Sequence, residues 1–133
     1  MRSILLVILL IWPHVYGSEL KGLVGRWSFA YRNEGPAEVT TIGVTVFRSD
    51  GTYYSAGILS AEGLKKERSM AVASSGTWVL DGKKLSMTMM ETSKPELAPA
   101  GKTFITDVEE ITDTYYTFRG ERGVLRKDYR INL

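Results

Sequence analysis

Large apolar side chains recur at every second position through "GTWVLDGKKLSM", residues 76–87, on both sides of an Asp-Gly pair. Gly76, Trp78, Leu80, Leu85, Met87 and Met89 share one side, while Thr77, Val79, Lys84, Ser86 and Thr88 share the other. A period of two with one apolar and one wet face describes strands packed on one side of a sheet. Asp-Gly favours the connecting turn, because Gly tolerates positive φ and Asp can satisfy its backbone locally. A short loop around Asp81-Gly82 predicts Trp78 opposite Leu85 and Gly76 opposite Met87.

After residue 20 the chain keeps to this pattern: runs rich in Val, Thr, Tyr, Ile and Phe alternate with Gly, Asp, Pro and Ser, without a helical period. Strands are predicted over 24–32, 38–49, 52–59, 70–80, 83–92, 103–112, 115–120 and 124–131. "SDGT" at 49–52, "LDGK" at 80–83 and "GERG" at 120–123 read as tight connections. "SAEGLKKERS" at 60–69 and "SKPELAPAG" at 93–101 are longer, and Pro95 and Pro99 in the second cannot donate to a ladder. Both are expected to overhang one end of the fold.

The fold class predicted is all-β, an eight-stranded antiparallel up-and-down barrel, since closure removes exposed edges. Such a barrel either fills with side chains or holds one small ligand, and both outcomes stay open. Trp78, Leu85, Met87 and Met89 are candidate interior residues, with Met serving as adaptable pocket lining or as core filler. The adjacent pairs Tyr53-Tyr54 and Tyr115-Tyr116 must each send one ring inward. A two-residue and a three-residue turn at 49–52 assign opposite rings to the interior; Tyr54 and Tyr116 are the candidates for ligand contact.

The beginning of the chain departs from the pattern. Arg2, an unbroken apolar run over 4–12 and the small residues Val15 and Gly17 read as a secretory signal peptide, residues 1–17, ahead of a domain over 18–133. Nine apolar residues fall short of the roughly 20 that span a bilayer, and no Cys follows to be acylated, so no stable membrane anchor is expected. The expected location is secreted or periplasmic. Without Cys, packing must supply the stability of a domain exported to an oxidising compartment. With 17 basic and 15 acidic residues, net charge +2, nothing draws the protein to nucleic acid.

"LVGRWSFAY", residues 23–31, opens the domain with Gly25-x-Trp27, and "VLRKDYRI" closes it with a basic strand containing Arg126 and Arg130. This combination resembles the calycin superfamily, most closely the small lipocalin-like domains of bacterial secreted proteins. The resemblance extends over "FRSDGTYY" and "SGTWVLDGKKLSM" and so over nearly all of residues 20–133. It implies a lipocalin-like barrel whose closed end carries Gly25, Trp27 and a last-strand cation, Arg130 or Arg126, packed across the indole. A guanidinium on an indole face contributes roughly 0.5–2 kcal/mol, so this group is structural. Unlike the larger lipocalins, the chain has no disulfide and no recognisable second or third lipocalin motif.

The catalytic inventory is thin. The single His, His14, lies in the signal segment, and the absence of Cys removes the other common nucleophile and metal ligand. Triads, imidazole acid–base chemistry and the usual zinc sites are thereby disfavoured, and no cofactor motif is present. "DVEE" at 107–110 puts Asp107 and Glu109 on one face and Glu110 on the other; a solvated outer face is expected there, with no metal site. Arg119, Arg122, Arg126, Lys127 and Arg130 are expected to be solvated too, with cross-strand pairing to Asp107 and Glu109. The protein is therefore expected to be a binding protein for a small apolar ligand and not an enzyme. The alternative partner is a protein, for instance a secreted protease inhibited through "SELKGL" or the rim loop "SKPELAPAG".

Overall fold

The computed structural model describes residues 22–33, 38–62, 68–120 and 123–132. The predicted signal peptide and the start of the domain at Ser18 lie outside the described residues, as does Arg122. The elements are β1 (Gly25–Asn33), β2 (Glu38–Phe47), β3 (Thr52–Glu62), β4 (Arg68–Asp81), β5 (Lys84–Thr92), β6 (Thr103–Ile111), β7 (Tyr115–Arg119) and β8 (Leu125–Arg130). Each strand pairs antiparallel with the next, and β1 pairs with β8, giving the expected closed all-β barrel.

Two turns correct the predicted registers. Around Gly82-Lys83, Asp81 pairs with Lys84, so Trp78 faces Met87, Leu80 faces Leu85 and Gly76 faces Met89. Trp78 is not opposite Leu85, nor Gly76 opposite Met87; two residues lie between the ladders, and the shared inner face survives because the shift is even. At the β2–β3 turn, Phe47 pairs with Tyr53 and Arg48 N donates to Thr52 O at 2.9 Å, leaving three residues, Ser49 to Gly51, in the loop. Gly51 takes the positive-φ third position (φ 85°) that such a turn requires. Tyr53 consequently points inward at 3 % exposure and Tyr54 outward at 42 %. The placement of Tyr54 in the interior is thus corrected.

Bulges adjust two further strands. One between Ser75 and Gly76 leaves Met90 opposite no residue of β4, and Met90 is exposed. Another leaves Glu109 outside the β6–β7 register, so Glu110 joins Asp107 and Glu109 on the outer face instead of opposing them. There Lys84 pairs with Asp107 at 2.7 Å, Arg119 with Glu109 at 2.6 Å, and the Tyr115 hydroxyl donates to Glu110 at 3.0 Å. Arg119 behaves as expected, whereas Arg126 and Arg130 leave the solvated set by sharing the inward parity of Asp128.

The closed end is built on Trp27, which is fully buried. Its indole N–H donates to Leu23 O at 2.8 Å, and the Arg130 guanidinium lies 4.2 Å from the ring centre. The same guanidinium donates to Val24 O at 2.9 Å and Gly22 O at 2.6 Å, holding the segment that enters β1 across the floor. Gly25 leaves room for it, since a Cβ there would come within 2.5 Å of Arg130 Nη1. Above the floor pack Phe47, Tyr53, Trp78, Leu80, Leu85, Val108, Tyr116 and Phe118.

Trp27→Ala should cost about 3–5 kcal/mol, the range for truncating a large buried aromatic. Urea melts check this, and a loss below about 1 kcal/mol would contradict a floor role for the indole.

Candidate ligand cavity

Barrel strands differ in length, from 14 residues in β4 to 5 in β7, so the wall is taller on one side. β6 pairs with β5 only from Lys84 to Thr88. Beyond that, Met89 bonds to the connection that follows: Met89 N donates to Lys102 O at 2.9 Å and Gly101 N to Met89 O at 2.6 Å. The 93–101 segment thus folds over the end opposite Trp27. Ser93 anchors its start to β4, with N–H donating to Ala73 O at 2.8 Å and Oγ accepting from Ala73 N at 2.9 Å.

Under this segment the barrel contains a cavity of about 200 Å³. Phe29, Leu59, Val72 and Met89 supply its apolar wall, and Leu97 and Ala98 come from the overhanging segment. Polar groups enter as Ser55, Ser74, Thr92 and Lys94. Two mid-strand glycines help to create the space. Gly43 and Gly57 face each other across β2 and β3, and a Cβ on Gly43 would strike both Ala56 O and the edge of the Phe29 ring. Any larger residue would displace that ring.

Between cavity and floor runs a connected set of rings. Phe29 stacks on Tyr31 at 5.2 Å, Tyr31 meets Phe118 edge-on at 6.1 Å, Phe118 stacks on Tyr116 at 5.3 Å, and Tyr116 meets Trp27 edge-on at 4.8 Å. Within this set Asp128 is 2 % exposed and accepts hydrogen bonds from Tyr31 at 2.5 Å and Tyr116 at 2.7 Å. The Arg126 guanidinium lies 4.4 Å from the Tyr31 ring centre. Burial pushes the Asp128 carboxyl up to about 6, opposed by the two hydroxyl donors and the Arg126 charge. Burial, reinforced by the Asp128 charge, raises Tyr31 and Tyr116 above the ordinary tyrosine range. Both stay neutral donors at any physiological pH.

The predicted contact residues divide unequally. Met89 lines the cavity. Trp78, Leu85 and Tyr116 belong to the filled half, Met87 packs against it, and the Trp78 indole N–H is committed to Arg48 O at 3.0 Å. Tyr54 lies on the outside, beside a groove with Ser75 and Glu91. Missed were Phe29, Leu59, Val72 and Lys94. The available signal was the small residues at inward positions of β2–β4, Gly43, Ser55, Gly57 and Ser74, which cannot fill an interior. No clustered set of metal-binding side chains occurs among the described residues. No family model matches the chain, and no curated protein matches it.

The Asp128 geometry fixes the sign of a pH effect. Its folded pKa, about 6, lies above the ordinary carboxyl value, so between about pH 4 and 6 the folded state holds more protons than the unfolded. Stability from this group is complete below about pH 4 and falls as pH rises through about 6, by at most roughly 3 kcal/mol. Urea melts of the wild type and Asp128→Asn from pH 4 to 7.5 should therefore show the wild type losing ground relative to the variant as pH rises. A pH-independent difference would refute the assignment.

Proposed function

We propose that the protein is a lipocalin-like binding protein that holds a small apolar ligand in the open half of its barrel. The observation that carries this reading is the division of the interior: aromatic rings fill the Trp27 end, while apolar side chains surround free volume at the other. A cavity with a few polar groups beside an apolar wall is the usual form of a small-molecule site. The closed antiparallel barrel and the Arg130–Trp27 floor are compatible with the calycin resemblance, although fold alone does not assign function. Absence of His and Cys from residues 18–133 favours binding over catalysis. The same resemblance, with the apolar run at 4–12, supports work outside the cytoplasm after loss of residues 1–17. Intact mass of exported protein should then begin near Ser18, and retention of Met1 would contradict it.

A ligand panel tests the binding reading. Small neutral apolar molecules such as hexanol and toluene should bind saturably to the wild type and to the outer-face variant Lys84→Ala, as followed by ligand-observed NMR. Val72→Phe, which places a ring in the cavity, should weaken binding about tenfold or more while the protein remains folded by circular dichroism. Met87→Ala should instead cost stability, because that side chain packs on the filled half. Failure of every ligand to saturate the wild type would reject the reading.

A further inference from the structure

Resting on the binding reading above, we infer that the preferred ligand is a short monocarboxylate, its apolar part against Phe29, Val72 and Met89 and its carboxylate on Lys94. The charge of the cavity carries the argument. Among the described residues that line it, Lys94 is the only charged one and none is Asp or Glu. Lys94 is half-buried and, among the described residues, makes no ion pair. Other lysines with assigned contacts are engaged elsewhere: Lys84 with Asp107, Lys102 over Phe104 and Lys127 over Tyr115.

The backbone of Lys94 is fixed. Its N–H donates to Thr92 Oγ1 at 3.2 Å, and its carbonyl accepts from Leu97 N at 3.0 Å and Ala98 N at 3.5 Å. Lys94 thus brings a cation to the edge of an apolar cavity with no counter-charge among the described residues. A ligand carboxylate would supply that charge and accept a charge-assisted hydrogen bond. Ser55 already pairs with Thr45 at 3.1 Å, whereas Thr92 Oγ1, which accepts from Lys94 N, keeps an O–H that can donate to the same carboxylate.

Volume limits the length of the apolar part. At about 200 Å³ the cavity is smaller than the roughly 300–1,000 Å³ of pockets for drug-sized ligands, which suits a short body such as hexanoate or benzoate.

The test compares hexanoate, hexanol and hexylamine on the full-length mature protein at pH 7.5 by ligand-observed NMR, for wild type, Lys94→Gln and Lys94→Arg. Hexanoate should bind about tenfold more tightly than hexanol and hexylamine, the preference shrinking as salt is raised. Lys94→Gln should weaken hexanoate about tenfold and so remove this preference while the protein stays folded by circular dichroism, and Lys94→Arg should retain it. Equal binding of hexanoate and hexanol by the wild type, or an unchanged preference in Lys94→Gln, overturns the carboxylate assignment while the binding reading stands. Failure of all three ligands to bind overturns both.

Discussion

Closure of the barrel depends on Arg130. β1 and β8 share only two paired positions, Trp27 with Arg130 and Ser28 with Tyr129, whereas β1 matches β2 from Gly25 to Asn33. So short a seam leaves the two end strands weakly tied by backbone alone. Ile131 N donates to Arg26 O at 2.8 Å just past it, and the Arg130 side chain supplements it further, reaching Val24 O and Gly22 O while covering the Trp27 ring. A lysine could supply the charge but not the planar fork that reaches two carbonyls while lying over an indole. The floor is thus also the seam.

Once the seam is held at the Trp27 end, wall height decides what happens at the other. β7 and β8 are short, with 5 and 6 residues, and Tyr116 and Phe118 of β7 serve the filled half, whereas β3 and β4, with 11 and 14, continue past it. The inward positions of those continuations are small or aliphatic: Ser55, Gly57, Leu59, Val72 and Ser74. Phe29 occupies the gap at Gly43 but does not span the barrel. The prolines of the 93–101 segment stop it from extending the β5–β6 ladder, and it turns over the space that the short strands leave. Cavity and cover therefore share one origin in unequal strand length.

The fold could be read from the sequence because the strands carry a period-two pattern and the three tight turns anticipated each carry a Gly at positive φ: Gly51, Gly82 and Gly123. Strand limits were legible for that reason, and the floor group Gly25, Trp27 and Arg130 through the calycin resemblance. The candidate site was only partly legible. Ranking large apolar residues such as Trp78 and Leu85 as contacts confuses the residues that fill space with those that leave it. Free volume is signalled by small inward residues, and locating it requires the shear that brings β1, β3, β4 and β5 together. Tyr54 illustrates a second limit: one extra residue in the "SDGT" turn exchanges the faces of Tyr53 and Tyr54, a choice alternation cannot make.

Strand β8 inverts the rule used for every other strand. Arg126, Asp128 and Arg130 share its inward side, while Leu125 and Tyr129 are 49 % and 55 % exposed on the outside. Hydrophobic burial would favour the opposite face. The observed register holds because each inward charge has matched partners: Arg130 has two carbonyls and an indole, Asp128 two tyrosine hydroxyls, and Arg126 the Tyr31 ring. A slip by one residue would place Leu125, Lys127 and Tyr129 inside and strand the Tyr31 and Tyr116 hydroxyls and the Gly22 and Val24 carbonyls without partners. Unsatisfied buried polar groups cost about 1–3 kcal/mol each, more than two exposed apolar side chains recover by partial burial. Polar satisfaction, not hydrophobic patterning, therefore sets the register of the strand that closes the barrel.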